Sequence, residues 1–152
     1  AYPVEPSRKT PFAVVTWFDV DRKDVLPAGL DYQGLQKMLD QLITNPNHFY
    51  AFRIHARLKT LTVRSVPAQT PPYPPLAEVV KKEAVFPYEH IEGTLVGFYT
   101  PDYMQGLNVP GYHFHFLNRE HTRGGHVLAL MTESGTIEVD ELNEITMLLP
   151  DS

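Results

Sequence analysis

Apolar residues fall along this chain in short runs separated by polar and proline-rich breaks. Thr10 to Phe18 reads TPFAVVTWF, β-branched and aromatic nearly throughout, and predicts a strand buried on both faces. Asp19, Asp21 and Asp24 then mark a polar connection. From Asp31 to Thr44, Leu35, Met38, Leu39, Leu42 and Ile43 recur at helical spacing, which predicts an amphipathic helix. Asp31 is its N-cap, because a carboxylate there can accept an early backbone N–H. Asn45-Pro46-Asn47 stops it, since proline disfavours helix at the residue before it. Phe49–Ile54 and Lys59–Ser65 read as two strands. In the second, Leu58, Thr60, Thr62 and Arg64 share one face, and Lys59, Leu61, Val63 and Ser65 the other. Pro67 to Pro75 excludes a central strand or a helix interior and predicts an extended connection, with a short helix over Leu76–Glu83. Further strands are expected at Gly93–Tyr99, Tyr112–Leu117, His126–Thr132, Thr136–Val139 and Glu144–Leu148, with a tight turn at Ser134-Gly135. One or two helices with roughly seven or eight strands make an α+β domain with a mostly antiparallel sheet.

Composition narrows this picture. A chain of 152 residues, 43% hydrophobic and 20% charged, suits one domain with a packed core. The net charge of -5 disfavours nucleic acid as a partner. With no cysteine, disulfides, thiolate metal sites and cysteine nucleophiles are excluded. No apolar run approaches membrane-spanning length, so no membrane partner is expected. The chain opens AYPVEPSRKTPF without a methionine, which reads as a processed or truncated start.

The chemistry concentrates in GYHFHFLNREHTRGGHVLALM, from Gly111 to Met131. His113 and His115, two apart on a strand, point to one side, and Tyr112, Phe114 and Phe116 to the other. The ten residues between His115 and His126 have loop composition, so a hairpin would bring His126 beside the first two, with Leu128 and Leu130 on its side. Three convergent imidazoles with a fourth position open are a catalytic zinc arrangement. His121 competes as third ligand but lies in mid-loop, and His48, His55 and His90 read as surface or hydrogen-bonded residues. An anionic substrate would need a cation, and the planar guanidinium fork matches a carboxylate. Arg53, Arg57, Arg64, Arg119 and Arg123 are candidates, Arg64 standing at a strand end just before the proline-rich connection. Among the carboxylates Glu89, Glu92, Glu120, Glu133 and Glu138, spacing selects none.

These residues carry a resemblance. GTLVGFYTPDYMQGLNVPGYHFHFLNREHTRGGHVL is similar to the signature region of alpha-acetolactate decarboxylases, with their Gly-Tyr-His-x-His-Phe and Gly-Gly-His elements at the same separation. TPFAVVTWF and VRSVPAQTPPYPPLAEV resemble two upstream blocks of that family, so the likeness runs from about Thr10 to Pro150. It departs at His55-Ala56, where the family has an acidic residue followed by glycine, and at Ala129, where an Asp is common. The resemblance implies that His113, His115 and His126 are zinc ligands and that Arg64 is an active-site arginine, catalytic and substrate-binding. For fold, it implies a single domain over 1–152, a mostly antiparallel or mixed sheet curling toward an open barrel with one or two helices. It further implies that the chain lacks the family's N-terminal segment and C-terminal tail, where the remaining active-site carboxylates lie. The activity implied is decarboxylation of 2-acetolactate, a small 2-hydroxy-3-oxo acid, to acetoin, with zinc stabilising an enediolate. A homodimer and a cytoplasmic location go with it, secretion being left open. The rival expectations are a zinc-dependent ester hydrolase on the same scaffold and a non-catalytic metal-binding domain.

Overall fold

The structure, a computed structural model, describes residues 1, 3–7, 12–65 and 84–148. Among these described residues, five strands and one α-helix follow in the order β1 (Arg22–Leu26), α1 (Tyr32–Asp40), β2 (Phe49–Ser65), β3 (Ala84–Thr100), β4 (Gly111–Asn118) and β5 (Gly124–Leu142), with a 3₁₀ turn over Asp102–Met104. Every pairing between strands is antiparallel. The sheet order is β1-β5-β2-β3-β4, and β4 also pairs with β5. The meander β2–β3–β4–β5 therefore returns to its first strand and forms a partial ring, β4 and β5 being joined over three residue pairs, His115–His126, Phe116–Gly125 and Leu117–Gly124.

The fold has fewer and longer strands than the apolar runs suggest. Phe49–Ile54 and Lys59–Ser65 are one strand, β2, which continues through His55, Ala56, Arg57 and Leu58. Its register against β5 shifts at Arg57/Leu58, Leu58/Thr60 and Thr62/Val63. Each shift turns a side chain to the other face. Leu58 therefore joins Leu61 and Val63 in the core instead of facing out with Thr60 and Thr62. His126–Thr132 and Thr136–Val139 likewise fuse into β5, and Ser134-Gly135 is no turn. Gly135 lies inside the strand, where a Cβ would stand 2.2 Å from the His55 carbonyl oxygen.

Two expected strands are not strands. Residues 12–18 have no ladder partner, and Val15 and Trp17 are 86% and 99% exposed. The sheet edge beside β5 is taken instead by β1, whose charged RKDVL sequence hid it. An edge strand needs backbone groups aligned with a neighbour more than it needs apolar side chains. Residues 144–148 also lie outside the sheet, with Ile145, Met147 and Leu148 exposed. The expected N-cap is present: the Asp31 carboxylate accepts from the Gly34 N–H at 2.7 Å. The helix ends at Asp40, four residues early, as Leu42 N–H and Ile43 N–H bond back to Leu39 and Asp40 carbonyls in tighter turns. The proline-rich connection and the helix expected over 76–83 lie outside the described residues. No described helix is long and apolar enough to cross a membrane.

The core lies on the inner face of the ring. Tyr50, Phe52, Ile54, Leu58, Leu61 and Val63 from β2 meet Leu95, Phe114, Phe116, Val127, Leu130, Ile137 and Val139, with Leu35 and Leu39 of α1 packed in. Phe114 is fully buried against Phe52, ring centroids 6.0 Å apart. Its burial contributes about 1.5–3 kcal/mol. This inner anchoring matters for function, because it fixes which face of β4 is left to the histidines.

On the outer face, Lys23, Glu138 and Arg53 form one cross-strand row over β1, β5 and β2. Glu138 accepts from Lys23 at 2.9 Å and from Arg53 at 2.6 Å. These bonds, the one from Lys23 foremost, hold its carboxyl down to about pH 2. A depressed carboxyl stabilises the fold above the unfolded value, near 4.5, and the contribution is lost as pH falls toward the folded value. Glu138→Gln should therefore cost about 1 kcal/mol at pH 7, Lys23 being largely exposed and screened. In urea titrations that loss should vanish by about pH 2; a loss constant from pH 7 to that point would contradict it.

Candidate metal centre

Three adjacent strands build the site on the face turned away from the aromatic core. His113 and His115 project from β4 in alternation with the buried Phe114 and Phe116. His126 is the third residue of β5 and the direct cross-strand partner of His115. Arg64, near the end of β2, is the cross-strand partner of His126. His115, His126 and Arg64 thus form one row over β4, β5 and β2, with His113 two residues along. Leu128 follows His126 on the outer face, but Leu130 is buried, contrary to the simple alternation. The register of β5 against β2 skips Leu128, between the pairs Thr62–Ala129 and Val63–Val127, and that bulge turns Leu130 inward.

One nitrogen from each imidazole lies within 4.8 Å of the others. His113 Nε2 and His115 Nε2 are 3.2 Å apart. The edge of a tetrahedron with Zn–N bonds of about 2.0–2.1 Å is about 3.3 Å, so these two nitrogens already stand at the spacing of two ligands. The ring of His126 stands nearly perpendicular to both others, at 70° to His113 and 78° to His115. His113, His115 and His126 could together hold a metal ion. All three titrate below the usual imidazole range. Burial is the main cause in each, and the Arg64 guanidinium adds to it, with neighbouring imidazoles contributing for His115 and His126. His126 is lowered furthest, to about 4. At neutral pH the three rings are therefore uncharged, which is the form that binds a cation.

The hairpin that aligns β4 with β5 is tied by Asn118. Its buried side chain accepts from the N–H groups of Thr122 and Arg123 at 2.8 and 2.7 Å. It donates to Glu120 at 2.8 Å and to Thr122 Oγ1 at 3.2 Å. Loop composition concealed this role, since asparagine in a polar run carries no sign of burial. Gly125 is needed beside it: at φ +151 it passes so close to β2 that a Cβ would lie 2.6 Å from the Arg64 carbonyl oxygen. Asn118→Ala should cost about 1–2 kcal/mol, because the N–H groups of Thr122 and Arg123 lose their side-chain acceptor. It should also weaken metal retention about 10-fold through the lost His115–His126 register. Urea unfolding and competition with a metal chelator would measure the two effects separately.

The other candidates lie apart from this centre. His121 sits in the turn and is not in the cluster. His48 bonds Glu141 at 2.8 Å, and His55 lies 3.2 Å from Thr94 Oγ1. Arg53 is paired with Glu138, Arg57 faces Glu92 at 3.4 Å, and Arg123 lies over the Tyr88 ring. Glu120 is engaged by Asn118. Glu89 pairs with Thr60 in the β2–β3 ladder, and Glu133 is exposed at a register shift of β5. A cleft of about 370 Å³ lined by His55, Arg57, Glu92, Thr94, Arg119 and Ser134 holds none of the three clustered histidines. The centre is recognised by its converging nitrogens, not by the depth of its surroundings.

Comparison with known proteins agrees with this geometry. The family model described as alpha-acetolactate decarboxylase matches residues 1–152. The alpha-acetolactate decarboxylase of Methylococcus capsulatus is 46% identical over 151 residues, covering 99% of this chain and 58% of that protein. That of Brevibacillus brevis is 45% identical over 144 residues, covering 95% and 50%. The crystal structure of alpha-acetolactate decarboxylase from Bacillus subtilis strain 168 superposes with a TM-score of 0.87 at 33% identity, covering 90% of this chain and 58% of that one. The chain thus spans between half and three fifths of the length of these relatives.

Proposed function

The chain belongs to the alpha-acetolactate decarboxylase family, and we propose that it carries the metal-binding part of a zinc-dependent enzyme converting 2-acetolactate to acetoin and carbon dioxide. The observation that carries this reading is the row His115–His126–Arg64, with His113 beside it. It sets a cation site and a guanidinium next to one another on one face. Zinc fits because three neutral imidazoles that leave a fourth position open are its catalytic pattern.

A zinc ion held there supplies a Lewis acid for the negative charge left on the substrate as carbon dioxide departs. The chain's own residues hold the cation and orient the acid, and the proton that takes the place of carbon dioxide comes from a glutamate or from water. His113, His115 and His126 hold the cation and, being uncharged, do not compete with it for charge. Arg64 receives the substrate carboxylate through its planar fork. The reaction moves negative charge out of that carboxylate, so an arginine that merely bound it tightly would stabilise the ground state. The useful work of Arg64 is orientation: it sets the plane of the carboxylate and hence the direction in which the carbon–carbon bond breaks.

The test is to load the chain with zinc and follow carbon dioxide release from 2-acetolactate alongside hydrolysis of an activated ester. Carbon dioxide release that disappears on chelation and returns with zinc is expected. Ester hydrolysis without decarboxylation would replace this reading with that of a hydrolase.

A further inference from the structure

The row through the metal centre continues one strand further. Val96 of β3 is the cross-strand partner of His115, so Val96, His115, His126 and Arg64 lie in line across β3, β4, β5 and β2. Cross-strand partners share a face. Phe98 stands in the same relation to His113, and Leu117 follows His115 at the alternate position of β4. The histidines are therefore bounded by apolar side chains on one side and by a guanidinium on the other. Val96 is 51% and Leu117 38% exposed, unlike their inward-facing neighbours Leu95 and Phe116.

We propose that Val96 and Leu117, with Phe98, form the alkyl subsite of this centre and set how large a hydrocarbon group the acid can carry. This rests on the reading of the centre as a metal site for a 2-hydroxy acid. Strands lie about 4.7–4.9 Å apart, so a cation over His115 and His126 stands about 7 Å from the backbones of both β3 and β2. An acid bound at that cation with its carboxylate toward Arg64 has its remaining substituents directed at Val96. A branched side chain with few rotamers is a fixed wall there, not a yielding one. An added methylene meets that wall or, with the wall removed, fills the space.

The experiment uses the zinc-loaded chain and calorimetry with two stable acids, 2-hydroxyisobutyrate and 2-hydroxy-2-methylbutyrate, which carries one methylene more. Val96→Ala should shift the affinity ratio toward the larger acid by about tenfold, the low end of discrimination by one methylene, because the wall is half exposed. Leu117→Ala should shift it in the same direction, and zinc content should stay at the wild-type level in both. A ratio unchanged within twofold in both variants, with zinc and wild-type acid binding intact, would overturn the alkyl subsite and leave the function reading standing. A zinc-loaded wild-type chain that binds neither acid would overturn both.

Discussion

His115→Ala is expected to strip the metal from this chain while leaving the fold in place. His115 touches both other imidazoles, being the cross-strand partner of His126 and lying 3.2 Å from His113 through its Nε2. Its removal leaves two imidazoles, which cannot surround a cation on three sides. Structural zinc sites bind with about 10–16 kcal/mol over four ligands, so one ligand carries about 3 kcal/mol and its loss costs about 10²-fold or more in affinity. Decarboxylation should fall at least in proportion. The imidazole lies on the solvent side of β4, so the metal-free variant should unfold within about 0.5 kcal/mol of the metal-free wild type. The two chains separate when zinc is added. The wild type should gain stability by mass action and the variant should not. Metal analysis after dialysis, with thermal unfolding at several zinc concentrations, reads both effects. His48→Ala is the control, since His48 serves Glu141 and Asn45 and touches no member of the cluster. It should keep the metal, and a His115→Ala chain holding a full equivalent of zinc would refute the ligand assignment.

Arg64→Gln should give the opposite pattern, with metal kept and substrate handling lost. Burial is the main reason that the three imidazoles titrate low, and the Arg64 guanidinium opposes their positive charge as well. The same field opposes a bound cation. Removing it should leave zinc affinity equal to or above that of the wild type. The carboxylate, by contrast, loses a charge-assisted partner and its orientation, about 3–4 kcal/mol of transition-state stabilisation, or about 10²–10³-fold in kcat/KM. Because orientation is at stake, kcat should fall as well as KM rise. Arg64→Lys should recover little, since an ammonium keeps the charge without the planar fork. Steady-state kinetics with parallel metal analysis decides the matter. A variant that loses zinc would recast Arg64 as a residue holding β2 against β5.

The local grammar of the chain was legible in its sequence. Asp31 caps the helix, Tyr112, Phe114 and Phe116 alternate with His113 and His115, and the loop composition after Asn118 places a hairpin turn. Each is a property of a few neighbouring residues, and the physics that decides it acts over the same few. The three histidines could be singled out for that reason, since two share a strand face and the third is one turn away.

Strand extent and edge occupancy were not legible. β2 and β5 run through polar stretches that a local reading breaks in two, because backbone pairing with a neighbour outweighs side-chain preference. TPFAVVTWF has every local mark of a strand, yet its described residues join no strand ladder, while the charged RKDVL does. The bulges that turn Leu58 and Leu130 inward depend on which residue of the facing strand is skipped.

Composition and alternation by themselves determined a cysteine-free, mostly antiparallel domain with an imidazole face on one strand. Only the tertiary structure decided that Arg64 lies next to His126 and Val96 next to His115, joining residues 62 and 19 positions apart in the chain. The reason is that cross-strand neighbours are fixed by register, and register is settled jointly by all the strands that must bury one core.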